Sequence, residues 1–219
     1  ELSPLSRQFV EFAGSARLPV LDLGAAFGTA TLAALAAGAR VIANDLSEEH
    51  LAELVESVPA ADAWRLEVKT GRFPRHIHFE PETLGAVHAS NVFHFLTGRQ
   101  LNEGFAAIAR WLSPGGKLFV QASTPFQKPF SAFITEYERR LAEGVRWPGW
   151  VEKIAAYSTH RQLGQMPGAL HLLDTPVLAR LCEEHGLTVE RLELYRRPDL
   201  PVSLQCDGRE SVALIASRR

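Results

Sequence analysis

"VLDLGAAFGTATLAALAAGARVIANDLS", residues 20–47, decides how the rest of this 219-residue chain is read. Val20 to Leu23 is a short apolar run between Pro19 and Gly24, the pattern of a strand buried on both faces. Small residues at 24, 26 and 28 follow, and the chain enters an alanine-rich helix that Gly38 closes with a left-handed cap. "RVIAND" is a second buried strand, ending on the acid Asp45. Ser47 can then N-cap a helix from Glu48 to Ser57.

The same punctuation continues outward. "WRLEV", "LGAVHAS" and "KLFVQAS" predict strands three, four and five, with "SPGG" as the turn before the fifth. Thr97 and Gln100 announce a helix whose apolar face is Leu101, Phe105, Ile108 and Leu112. Ahead of the first strand, Leu5, Phe9 and Phe12 predict a helix closed by Gly14. Asp174, Thr175 and Pro176 open a late helix that Gly186 closes. "LTVERLELY" and "SVALIAS" are strands six and seven. Their connection carries Pro198, Pro201 and Gly208 and has no helical stretch. Strands alternating with helices predict a mostly parallel, doubly wound sheet with helices on both faces. The last strand, lacking room for a crossover, enters antiparallel.

Composition narrows the class. Hydrophobic content of 46% and charged content of 22% suit one α/β domain spanning residues 1–219. A net charge of −2 supplies no broad attraction to phosphate or to an anionic membrane, so nucleic acid and membrane are disfavoured as partners. Cys182 and Cys206 form neither a metal motif nor a disulfide framework, and Cys182 reads as a buried inert thiol. His76, His78, His88, His160 and His171 show no metal-ligand spacing. The chain opens at Glu1 without methionine, which suggests a processed or trimmed product. No signal peptide is read ahead of the first strand, and the expected compartment is the cytoplasm.

In such a sheet the ligand sits at the carboxyl ends of the strands, where strand order reverses. Small residues at 24, 26 and 28 let the backbone pass close to a bound molecule. A carboxylate at 45 can accept both hydroxyls of a ribose. The Lys-Ser/Thr pair of a phosphate-cradling loop is missing. Gly24, Ala26 and Thr29 match the dinucleotide fingerprint poorly, and Asp22 would repel a pyrophosphate. S-Adenosylmethionine carries no phosphate, and its cationic groups tolerate a neighbouring acid.

"VLDLGAAFG" resembles the first motif of class I S-adenosylmethionine-dependent methyltransferases, with Ala26 in place of the middle glycine. "VIANDLS" is similar to their second motif, "LGAVHASNVFHFL" to the fourth-strand motif, and "LNEGFAAIARWLSPGGKLFVQAS" to the segment entering strand five. "TPVLARLCEEHGLTVERLEL" resembles their late helix and sixth strand. The resemblance covers nearly the whole chain except residues 125–172. It implies a seven-stranded Rossmann-like fold and S-adenosylmethionine as cofactor. The cofactor would be held by Asp22, Gly24, Ala25, Ala26, Phe27 and Gly28, by Asp45 at the ribose and by Leu46 beside adenine. Ser90 and Asn91 would border the sulfonium. Many members place an acid after strand three for the adenine amino group. Here Gly71, Arg72 and Phe73 stand in that stretch, so Phe73 packing on adenine, or a backbone group, would serve instead.

Each assignment has a plainer counterpart. The glycines could simply form a strand-to-helix turn, and Ser90 and Asn91 an ordinary strand end. His94, just past strand four, is either a packed histidine or a general base. Residues 125–172 form an insertion read as a helical lid. Most of its aromatics would pack it onto the core, while Phe126, Trp147, Trp150 and Tyr157 are candidate walls of the acceptor pocket. The expected activity is methyl transfer to oxygen or nitrogen of a small-molecule acceptor. The rival is a non-catalytic S-adenosylmethionine-binding or partner-binding module.

Overall fold

The computed structural model describes residues 1–157 and 168–219. Helix α1 (Pro4–Ser15) precedes β1 (Val20–Leu23), α2 (Thr29–Ala36), β2 (Val41–Asp45), α3 (Glu48–Ser57) and β3 (Leu66–Thr70). Next come β4 (Leu84–Ser90), α4 (Gly98–Trp111) and β5 (Leu112–Ser123), then α5 (Ile134–Ala142) and the two-residue strands β6 (Trp150–Val151) and β7 (Leu170–His171). Helix α6 (Thr175–Glu184) leads to β8 (Leu187–Tyr195) and β9 (Ser211–Arg218). The seven-stranded sheet runs in the order β3-β2-β1-β4-β5-β9-β8. Strands β1 to β5 pair in parallel, and β9 is antiparallel to both neighbours. No helix among the described residues is long and apolar enough to cross a membrane.

Alternation along the strands divides the core in two. Leu21 and Leu23 point to the side covered by α4 and α6, where Leu101, Phe105, Ile108, Leu178 and Leu181 are buried. Val20 and Ala86 point to the opposite side, against Leu5, Phe9 and Ala13 of α1 and Ala30 and Ala34 of α2. Asp22 and His88 fall on that second side, two residues beyond Val20 and Ala86. The chain leaves β1 for β2 and β3, then returns to β4 on the other flank of β1. Strand order therefore reverses at β1, and the carboxyl ends of β1 and β4 diverge there.

The structure departs from the sequence reading in detail. Strand β3 starts at Leu66, because residues 63–65 make a 3-10 turn that leaves Trp64 exposed. "SPGG" lies within β5 as a bulge: Leu112 pairs with Leu84 and Lys117 with Ala86, and residues 113–116 loop out between them. Helix α1 buries Leu5, Phe9 and Ala13, with Phe12 at the margin. The segment after β5 is only partly helical, combining a 3-10 helix at Lys128–Phe133, α5 and the β6–β7 pair. His160 lies outside the described residues.

Candidate active site

The loop leaving β1 places three left-handed residues at alternate positions: Gly24 at φ +65°, Ala26 at φ +47° and Gly28 at φ +78°. Ala26 carries a β-carbon in a conformation that costs an L-residue about 1–2 kcal/mol. Its amide donates to Asp45 Oδ2 at 2.8 Å, an offsetting charge-assisted bond. Asp45 Oδ1 accepts from the Ser47 amide at 3.0 Å, so the carboxylate pins the loop after β1 to the loop after β2. The glycines have steric causes as well. A β-carbon at Gly24 would fall 2.4 Å from Val92 Cγ2, and one at Gly28 would fall 2.1 Å from Leu54 Cδ1.

Two large apolar side chains flank Asp45 without cover: Phe27 is 54% exposed and Leu46 is 59% exposed. The Phe27 ring lies 4.4 Å from that of His50, whose Nδ1 is buried, has no hydrogen-bond partner and sits 3.7 Å from Asp45 Oδ1. Asn44 Nδ2 donates to the carbonyls of Lys69 and Gly71, fixing the turn after β3 beside this surface. Arg72 is exposed at that turn. Phe73, expected against adenine, is instead buried in the main core, stacked on Phe93 and edge-on to Trp111. The reason is steric, since its ring fills the space left by Gly104 on α4.

Between the carboxyl ends of β1, β4 and β5 lies a cavity of about 200 Å³. Its walls are polar: Ser3 and Ser6 from α1 and its cap, Asp22, His88, Ser90, Asn91, Gln121, and Arg197 and Asp199 from the β8–β9 loop. Gly24, Ala25, Thr29 and Ala30 also border it. Asp22 is buried, with Oδ2 accepting from Thr31 Oγ1 at 2.7 Å and Oδ1 lying 2.8 Å from His88 Nδ1. His88 Nε2 is 3.0 Å from Ser6 Oγ. Gln121 reaches Ser90 Oγ at 3.3 Å and accepts from the Tyr195 hydroxyl. Asn91 adopts φ +60°, and its amide donates to the Gln121 carbonyl at 2.8 Å.

The β8–β9 loop is anchored by Glu210, whose side chain accepts from the amides of Cys206, Gly208 and Arg197. Burial alone would raise this carboxyl, but those three donors outweigh it and hold it below the ordinary glutamate value. The anchored backbone directs Arg197 to the cavity, with its guanidinium on Asp199 at 2.6 Å. Sequence reading gave no site role to Ser6, His88, Gln121 or this loop. The available signal was His88 itself, an ionisable residue inside an otherwise apolar strand, two positions before Ser90.

Other expected site residues lie apart from the cavity. His94 is buried in a 3-10 turn after β4, and its Nδ1 accepts from the Ser123 amide at 3.4 Å. Burial lowers its pKa to about 4, which makes it a weak proton acceptor. The four aromatic residues expected to wall the acceptor pocket are placed elsewhere. Phe126 and Tyr157 belong to the core of their own segment, with Phe130, Phe133 and Tyr137. Trp147 and Trp150 border a separate groove with Thr97, Arg99 and Arg140. Both pack edge-on to His171, and Trp147 also lies against the main core. A larger hollow of about 550 Å³ touches Pro19, Leu84 and Arg110 at the amino ends of β1 and β4, away from the loops that ligands of this fold use. Cys182 is buried, its thiol pushed up to about 12. Among the described residues, no group of three or more His, Cys, Asp or Glu is placed to hold a metal.

Residues 20–116 match a family model described as a methyltransferase domain. No curated protein matches the sequence. A solved S-adenosylmethionine-dependent methyltransferase from Mesorhizobium loti aligns with TM-score 0.69 and 19% identity, over 98% of this chain and 96% of that one. One from Methanosarcina mazei aligns with TM-score 0.69 and 13% identity, over 100% and 98%. The glycopeptide N-methyltransferase MtfA, solved with S-adenosylmethionine, aligns with TM-score 0.61 and 18% identity, over 98% and 87%. At these identities the likeness is one of fold.

Proposed function

We propose, from the match of residues 20–116 to a methyltransferase-domain model, that the chain belongs to that family and transfers the methyl group of S-adenosylmethionine to oxygen or nitrogen of a small-molecule acceptor. The observation that carries this reading is the bond from the Ala26 amide to Asp45. It closes the glycine loop onto the acid at the end of β2, with the bare Phe27 and Leu46 side chains on one side and the polar cavity on the other.

Asp45 would hold the ribose through its remaining lone pairs, and Phe27 and Leu46 would cover adenine. Uncovered apolar side chains beside a buried, unpartnered His50 nitrogen fit a flat heterocycle with polar edges. The backbone of Gly24 and Ala25, with Ser90 and Asn91, would border the methionine end. The cofactor supplies an activated electrophile, so this chain's residues mainly have to hold two reactants in line. The serine, glutamine and arginine side chains that border the same cavity beside the methionine end favour a small polar acceptor.

The test is release of S-adenosylhomocysteine during incubation with S-adenosylmethionine and a panel of small alcohols, acids and amines. Release with a polar probe supports the reading. A protein that binds the cofactor yet turns over no probe behaves as the non-catalytic module.

A further inference from the structure

Asp22 and His88 are register partners on β1 and β4, on the face covered by α1. Their hydrogen bonds form a chain with one consistent direction. Ser3 Oγ accepts from the Ser6 amide at 3.1 Å and lies 3.0 Å from Ser6 Oγ, so its hydroxyl can donate to Ser6. The Ser6 hydroxyl can then donate to His88 Nε2 at 3.0 Å, and His88 Nδ1–H to Asp22 Oδ1 at 2.8 Å. Thr31 closes the far end on Asp22 Oδ2. Phe9 stacks on the imidazole at 4.5 Å, interplanar angle 12°, and holds its plane. His88 is 2% exposed and Ser6 is 4% exposed, yet both border the cavity. A buried imidazole between a carboxylate and a hydroxyl has its tautomer fixed and its ring oriented.

We propose that this chain is a proton relay: His88 takes a proton from the cavity through Ser6, and Asp22 is the positioning residue. The proposal rests on the methyl-transfer reading above. As the acceptor's O–H or N–H atom bonds to the methyl carbon, the carbon–sulfur bond breaks and its electron pair goes to sulfur. The proton released passes to Ser6 while the Ser6 proton passes to His88 Nε2. Charge balances, because one sulfonium is lost and one imidazolium is gained beside the Asp22 carboxylate. The other charged groups bordering the cavity are Glu1, Arg197 and Asp199.

A test without a known acceptor uses sinefungin, which carries a primary ammonium where the cofactor carries its S-methyl group. The full chain, with ¹⁵N-labelled histidine, is followed by NMR free, with S-adenosylhomocysteine and with sinefungin. His88 is assigned by loss of its signals in H88Q, and binding is checked by calorimetry. An alkylammonium is a weaker acid than an imidazolium, so the proposal expects Nε2 to stay unprotonated and its ¹⁵N shift to move with sinefungin, whose ammonium hydrogen-bonds to it through Ser6, but not with S-adenosylhomocysteine. Ser6→Ala should abolish that change, and Asp22→Asn should do so if S6A does not fold. If both ligands bind and the Nε2 shift is the same with either, or S6A folds and leaves the change intact, the relay is overturned while the cofactor reading stands. If neither ligand binds, the cofactor reading fails and the relay falls with it.

Discussion

Asp22 of β1 and His88 of β4 stand opposite each other on adjacent parallel strands, their side chains joined at 2.8 Å. The acid before the glycine loop is thus turned inward, with one oxygen on an imidazole and the other on Thr31. It ties the centre of the sheet to α1 and α2 as well as bordering the cavity.

Asp22→Ala should therefore unsettle the protein before any ligand is added. It leaves buried His88 and Thr31 donors without an acceptor, each costing ~1–3 kcal/mol. Urea unfolding of the ligand-free protein measures the loss, and an unchanged midpoint would contradict it.

Asp45 carries two loads, and two variants separate them. Asp45→Ala removes the acceptor for the Ala26 and Ser47 amides, so it should weaken the ligand-free fold by ~1–3 kcal/mol as well as cofactor binding. Asp45→Asn keeps one oxygen acceptor and should retain more stability than affinity. Parallel melting and calorimetry would refute this if Asp45→Ala lowered affinity with no loss of stability.

The glycine loop predicts opposite signs for two similar changes. Ala26→Gly relieves a left-handed residue and should be neutral or stabilising by up to ~1 kcal/mol, once backbone entropy is deducted. Gly28→Ala drives a methyl into Leu54 from a left-handed position and should cost ~1–3 kcal/mol. Thermal melts that rank the two in reverse order would count against the geometry.

Much of this was legible in the sequence, because buried parallel strands are apolar runs and helix caps are local. Val20–Leu23, Val41–Asp45 and Leu84–Ser90 fall where their runs predicted, and Thr97 with Gln100 forms the expected capping box. Facts that depend on register were not legible. The Asp22–His88 bond spans 66 residues, and Ser6 reaches it across 82. Phe73 could not be sorted between adenine and the core, because an aromatic after a strand suits both. Only the gap at Gly104 decides it. The aromatics of residues 125–172 likewise gave no sign of packing on one another.

Stability should depend on pH through His94 and His171, both lowered to about 4, chiefly by burial. Their unfolded values lie near 6.5, so between these limits the unfolded chain binds protons that the native state refuses. Stability is present above that window and is lost as pH falls through it, with a slope of up to ~2.7 kcal/mol per pH unit for the two together. His94→Leu should flatten the slope in urea titrations across the window. A profile already flat in the unaltered protein would contradict the burial argument.

The central claim is that the loop from Asp22 to Gly28, closed by Asp45, binds S-adenosylmethionine. Calorimetric titration of the ligand-free protein with S-adenosylhomocysteine tests it most directly, with NAD and ATP as controls. The account predicts saturable binding of S-adenosylhomocysteine alone and a matching rise in melting temperature, ~2.7 kcal/mol of stabilisation at a hundredfold excess over Kd. Folded protein that takes up no S-adenosylhomocysteine at millimolar concentration, or binds NAD equally well, would contradict it.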